Sequence, residues 1–295
     1  LCRRLKRRIT LSRWRESRGV ESRTPEAASA NTWSGRASPS LGADAGRFAM
    51  TPLLISALCL IIVATSFLSG LFGMAGGMIL MGILIAIMPL PTAMVLHAVT
   101  QMASNGWRAL LWWRHIRWRP VGFYLLGSAF ALVTWSFILY VPSKPVALIF
   151  LGLTPFLLWL PGGLKPDPES RLQAAGYGLV SMMLMLMAGV SGPLIDSFFL
   201  GGRLDRREII ASKAICQVVS HGMKLIYFGG IIADAASLDP LLAALAIGAA
   251  MLGTTLARRF LQMMTDAQFR TWATRLIAVI GGCCVIQGTY LLVTT

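Results

Sequence analysis

Gln101-Met102-Ala103-Ser104-Asn105-Gly106-Trp107-Arg108 and Gln217-Val218-Val219-Ser220-His221-Gly222-Met223-Lys224 follow one pattern, Gln-x-x-Ser-(Asn/His)-Gly-x-(Arg/Lys), at an offset of 116 residues. At the same offset His97 aligns with Lys213 and Ala98 with Ala214. Both copies lie inside hydrophobic segments long enough to cross a bilayer. Polar groups at membrane depth are costly, so they face a bundle interior or a water-filled cavity and mark substrate paths. Two copies point to a transporter built from an internal duplication.

On a helix, positions i, i+4, i+7, i+8 and i+11 share a face. The first copy therefore presents His97, Gln101, Ser104, Asn105 and Arg108 as one stripe. The second presents Lys213, Gln217, Ser220, His221 and Lys224. Hydrogen-bond donors dominate both stripes, which suits a small anion. Each stripe follows a glycine-rich break. The first is Gly70-Leu71-Phe72-Gly73-Met74-Ala75-Gly76-Gly77 and the second Ala188-Gly189-Val190-Ser191-Gly192-Pro193. The apolar pieces after the breaks, Met78 to Leu90 and Leu194 to Leu200, are too short to cross a hydrocarbon core of about 30 Å. They read as re-entrant-like half-helices. Their N-termini carry unpaired N–H groups and partial positive charge, which attract anions. The glycines expected to shape them are Gly73, Gly76, Gly77, Gly189 and Gly192.

Working outward, the chain has 295 residues, 56% of them hydrophobic and 13% charged, against roughly 25% charged in soluble domains. With a mean hydropathy of +0.67, this predicts an all-α polytopic membrane protein of about eight to ten hydrophobic segments. Repeat one spans about 50–160 and repeat two about 174–293. Five elements per half, counting the broken ones, invert the second repeat relative to the first. Residues 1–49 hold 11 Lys and Arg against 4 Asp and Glu in a Ser/Ala/Gly/Pro-rich stretch. Such composition buries too little to fold. It reads as a disordered basic tail or as sequence upstream of a start at Met50.

Residues 50–295 hold 16 Lys and Arg against 8 Asp and Glu. Basic charge can signal nucleic acid, but here it sits in short loops between apolar segments, where it sets orientation. The loops Arg114–Arg119, Gly162–Gln173, Gly201–Arg207 and Arg258–Arg275 fall together on one side, expected to be cytoplasmic. Those around Pro91, Pro142 and Ile231–Asp239 fall on the other. The four tryptophans Trp107, Trp112, Trp113 and Trp118 form an interfacial belt, and the methionine run Met182–Met187 is packing or lipid-facing material. The five cysteines show neither zinc spacing nor a Cys-x-x-Cys pair.

Each polar residue also has a plainer reading. Arg108, Lys213 and Lys224 lie off-centre in their spans and as orienting charges would snorkel to the interface. His97 and His221 as packing residues would be internally satisfied. The Gln and Ser pairs as interhelical glue would hydrogen-bond across helices. Asp196 pairs with Lys213 or Lys224 as a salt bridge, or couples a proton, a role open also to His97 and His221. Recurrence of the whole stripe favours a site, since glue requires no matched spacing.

The paired breaks and the Ala-x-x-x-Gln-x-x-Ser helices resemble the TauE/SafE family of sulfite and organosulfonate exporters, from about Met50 onward. The first break departs from the family pattern, reading Gly73-Met74-Ala75-Gly76-Gly77-Met78 without three consecutive glycines. The resemblance implies a carrier for small sulfur-containing anions in the bacterial inner membrane, working without ATP. In that reading Gln101, Ser104, Asn105, Gln217 and Ser220 bind the anion, Arg108, Lys213 and Lys224 supply positive potential, and His97, His221 or Asp196 couples a proton. The expected partners are a small anion and the lipid bilayer; a homo-oligomer stays open, and no cofactor or metal is called for. A passive anion channel and a structural membrane protein are the alternatives. No Walker, Gly-x-Ser-x-Gly or His-Glu-x-x-His motif supports ATP drive or intramembrane catalysis.

Overall fold

The breaks and the apolar runs dictate ten α-helices among the described residues. A computed structural model describes residues 51–72, 75–154, 156, 166–200, 204–231, 238–261 and 266–294. The helices are α1 (Pro52–Phe72), α2 (Ala75–Ile87), α3 (Leu90–Leu111), α4 (Trp118–Ile138), α5 (Lys144–Leu153), α6 (Arg171–Ala188), α7 (Gly192–Leu200), α8 (Arg206–Ile226), α9 (Pro240–Leu261) and α10 (Asp266–Thr294). Every regular element among the described residues is helical. Among the described residues four helical stretches are long and apolar enough to cross a membrane, Pro52–Leu71, Trp118–Ile138, Arg207–Gly230 and Pro240–Ala257. Helix α3 has the length but not the hydropathy, because its polar stripe interrupts the apolar run.

Local signals set the ends. Pro91 stands in the first turn of α3, where its missing N–H costs nothing. Asp205 and Glu208 form a reciprocal capping box that starts α8, satisfying donors that would otherwise be orphaned. Gly189 ends α6 in the left-handed region, with φ of 78° and its N–H on Met185 O. Two expectations shift. Helix α2 begins at Ala75, so Gly76 and Gly77 lie in its first turn rather than before it. The reason is contact: a Cβ on Gly76 would stand 1.8 Å from Thr65 O of α1. The expected Arg258–Arg275 connection is largely helical, because α9 runs to Leu261 and α10 starts at Asp266. Gly73 and residues 157–165, 201–203, 232–237 and 262–265 lie outside the described residues.

Glycines also lock the helix pairs. Helix α1 packs along α9, α4 along α6, α3 against α8 and α5 against α10. A Cβ on Gly127 would lie 1.9 Å from Ala175 O, and one on Gly178 1.9 Å from Tyr124 O, so the α4–α6 contact is backbone to backbone. Gly253 meets Val63 O across α1–α9, and Gly152 meets Gly281 O across α5–α10. Small residues permit this approach in membranes, where van der Waals packing replaces the hydrophobic effect. The core between the pairs is apolar, with Met182 and Met185 fully buried in it. The outside is apolar too: Leu60, Leu126, Phe130, Phe137 and Ile286 are exposed, as lipid-facing positions require.

Ion pairs tie one end together. Arg117, between α3 and α4, reaches Glu169 at 3.2 Å and Glu208 at 3.4 Å, and its backbone N–H donates to Ser212 Oγ. Two of the basic loops that the arginine count puts on one side thus meet there, at the first turn of α8. At the other extreme of these helices Tyr227 Oη donates to Tyr140 O at 2.8 Å, joining the end of α8 to the α4–α5 turn. Trp113 and Trp118 are exposed beside the basic loop, and Arg114 stacks 5.6 Å over Trp113.

Candidate functional site

The two stripe helices face each other, which brings the two breaks to one place. A polar cavity opens at the α3–α8 contact. Gly77, Met78, His97 and Gln101 line it from the first half, and Val190, Ser191, Gly192, Gln217 and His221 from the second. Gln101, Gln217, His97 and His221 are all buried. The imidazoles stand 5.3 Å apart, tilted by 59°.

The hydrogen bonds sort groups already engaged from groups left open. His97 Nε2 lies 2.9 Å from Gly77 O. A carbonyl only accepts, so Nε2 carries the proton and Nδ1 accepts from Lys224 Nζ at 2.8 Å. Lys224 Nζ also donates to Gly189 O at 2.9 Å and is fully buried. His97 and Lys224 therefore stitch the first glycine turn to the second break. By contrast Gln101 Nε2, Asn105 Oδ1 and His221 Nδ1 are buried without a partner. Polar atoms unpaired at that depth carry a desolvation penalty of about 1–3 kcal/mol each, which a ligand with complementary groups relieves.

Not every stripe residue reaches the cavity. Ser104 turns to α9, its Oγ sharing a 2.8 Å hydrogen bond with Thr254 Oγ1, and it accepts from Arg108 Nη2 at 3.3 Å. Asn105 Nδ2 donates back to Gln101 O at 2.9 Å. Lys213 is ion-paired with Asp196 of α7, the salt-bridge alternative for that carboxylate. Ser220 is fully buried and does not line the cavity. Gly192 lines it, while Gly189 serves through its carbonyl and Gly76 through its contact with α1.

Three lining residues belong neither to the stripes nor to the expected glycines: Met78, Val190 and Ser191. The signal was positional: Val190 and Ser191 lie within the second glycine break and Met78 directly follows the first. Thr254, the partner of Ser104, had no sequence signal, because a hydroxyl on an apolar helix looks the same whether or not another helix meets it.

The sequence matches the family described as Sulfite exporter TauE/SafE over residues 58–283. No curated protein and no solved structure matches it. The matched span contains both breaks and both stripes, with every residue of the cavity, and the apolar exterior is that of a membrane protein. The chain belongs to the TauE/SafE sulfite exporter family of membrane transport proteins.

Proposed function

We propose that this protein is a secondary transporter that exports a small sulfur oxyanion, sulfite or an organosulfonate, across the bacterial inner membrane. The observation that carries the reading is the cavity itself: each half contributes a glycine break, a glutamine and a histidine to one buried space. Gln101 and Gln217 hydrogen-bond the anion. The N-terminal turns of α2 and α7 direct backbone N–H groups and partial positive charge toward it. Arg108, Lys213 and Lys224 contribute potential from a distance, each already held by Ser104, Asp196 or His97.

The two-repeat reading is supported by the packing pattern. Exchanging α1–α5 with α6–α10 maps the α1–α9 contact onto α6–α4 and returns the α3–α8 and α5–α10 contacts to themselves. In this reading α2 and α7 are the re-entrant half-helices, and the halves rock about the α3–α8 contact. The ion-paired basic loops face the cytoplasm. His221 is the better proton-coupling residue, since its Nδ1 is unpartnered at the cavity whereas Asp196 already holds Lys213.

The test is uptake of sulfite, sulfate, taurine and acetate into proteoliposomes containing the purified chain, with and without a proton gradient. Saturable uptake of a sulfur oxyanion supports the reading. Absence of uptake of all four by folded protein removes it.

A further inference from the structure

Arginines at one end of the bundle divide into two kinds. Arg117 and Arg119 are neutralised: Arg117 reaches Glu169 at 3.2 Å and Glu208 at 3.4 Å, and Arg119 reaches Glu169 at 3.8 Å. Arg114 and Arg207 meet aromatic rings instead. The Arg114 guanidinium lies 5.6 Å from the centre of the Trp113 ring, and that of Arg207, in the first turn of α8, lies 5.4 Å from the Trp112 ring. Among the described residues neither guanidinium has a carboxylate partner. The carboxylates beside Arg207 in the chain are already engaged. Asp205 accepts from the Arg207 backbone N–H, and Glu208 accepts from the Asp205 N–H and from Arg117.

Trp112 and Trp113 are adjacent, so guanidiniums from two separate elements stand on one aromatic ledge. His115 adjoins it, its ring edge-on to Trp112 at 5.8 Å. Arg114, Arg207 and Trp113 are exposed, and so are Leu110 and Leu111 in the last turn of α3. The surface thus turns from apolar to cationic between Leu111 and Arg114. Such a step marks the boundary between lipid tails and headgroups, where tryptophan concentrates. The opposite end of the bundle closes on itself instead: Trp135 Nε1 and Tyr227 Oη both donate to Tyr140 O.

We propose that Arg114 and Arg207, set on Trp113 and Trp112, form a headgroup site for one anionic phospholipid. Its phosphodiester engages both guanidiniums, and an acyl chain runs along Leu110 and Leu111. The chemistry selects this occupant. A guanidinium over a ring face keeps its in-plane N–H groups free, and these match phosphate oxygens in pairs. A zwitterionic lipid brings a cationic group as well. The ring faces that would receive that group are already covered by arginine, and the nearby carboxylates are taken. The site lies outside the glutamine cavity and does not depend on which anion is carried.

The experiment adds dioleoylphosphatidylglycerol, dioleoylphosphatidylcholine or inorganic phosphate to the full chain in detergent. It reads the lipid retained in native mass spectrometry and the shift in melting temperature. The variants are Arg114→Gln, Arg207→Gln, the two together, and Arg171→Gln. Arg171 is also exposed and lies 5.5 Å over Phe123, away from the ledge at the start of α6. Wild type should retain the glycerol lipid in preference to the choline lipid and be stabilised by it, and phosphate alone should do neither. Each substitution on the ledge should weaken glycerol-lipid binding about fivefold, and the pair about 25-fold, with the lipid-free melting temperature unchanged. Arg171→Gln should bind as wild type does. Wild type without the preference overturns the site, and so does a double variant that binds as tightly as wild type. An equal loss in Arg171→Gln overturns it in favour of diffuse charge attraction. Stabilisation by inorganic phosphate equal to that by the glycerol lipid overturns it in favour of a free anion.

Discussion

Lys224 Nζ donates to His97 Nδ1 across the α3–α8 contact at 2.8 Å, linking positions 127 residues apart in the chain. The ring's other nitrogen holds Gly77 O and the ammonium's other bond holds Gly189 O. One side-chain pair thus fastens both glycine breaks.

That linkage predicts a non-additive pair. His97→Leu strands Gly77 O and one donor of Lys224, at about 1–3 kcal/mol per orphaned group. Lys224→Met strands His97 Nδ1 and Gly189 O. Combining the two should cost less than the sum of the singles, with a coupling of about 0.5–3 kcal/mol. Denaturation of the four proteins in detergent measures it; additive losses would mean that the pair does not act as a unit.

At the cavity, Gln101→Ala with Gln217→Ala should abolish uptake of the sulfur oxyanion while expression, insertion and melting temperature stay near wild type. Each amide lines the cavity and neither holds a neighbouring helix in place. Flux equal to wild type in the double variant would exclude the glutamines from anion binding.

Thr254 and Ser104 should behave as structural residues. Thr254→Val keeps the shape and removes the 2.8 Å bond to Ser104. Stability should fall by about 1 kcal/mol with KM for uptake unchanged. A raised KM would return Ser104 to the anion path.

The glycines separate into two classes. Gly127→Ala should prevent folding, because its Cβ would meet the backbone oxygen of Ala175 at 1.9 Å and neither helix can move alone. Gly176→Ala, on a helix with nothing within 4 Å of the new Cβ, should be neutral or stabilise by up to about 1 kcal/mol. Monodispersity on size exclusion and melting temperature distinguish them.

Hydrophobic runs, breaks and stripes are written in the order of residues along one chain. Bilayer burial acts on them segment by segment, and helical periodicity acts within about four residues. For that reason the sequence alone determined the helical membrane fold, both breaks, the apolar pieces that follow them, and the alignment of His97 through Arg108 with Lys213 through Lys224. It also grouped the basic loops, two of which the Arg117–Glu169 pair joins beside Glu208 at the start of α8. Only the tertiary structure decided which donors were already engaged. Ser104 belongs to Thr254 and Lys224 to His97, while Gln101, Gln217 and His221 face the cavity. A hydrogen bond depends on distances between helices brought together from far apart in the chain, and no local pattern encodes which side chain a distant helix will present.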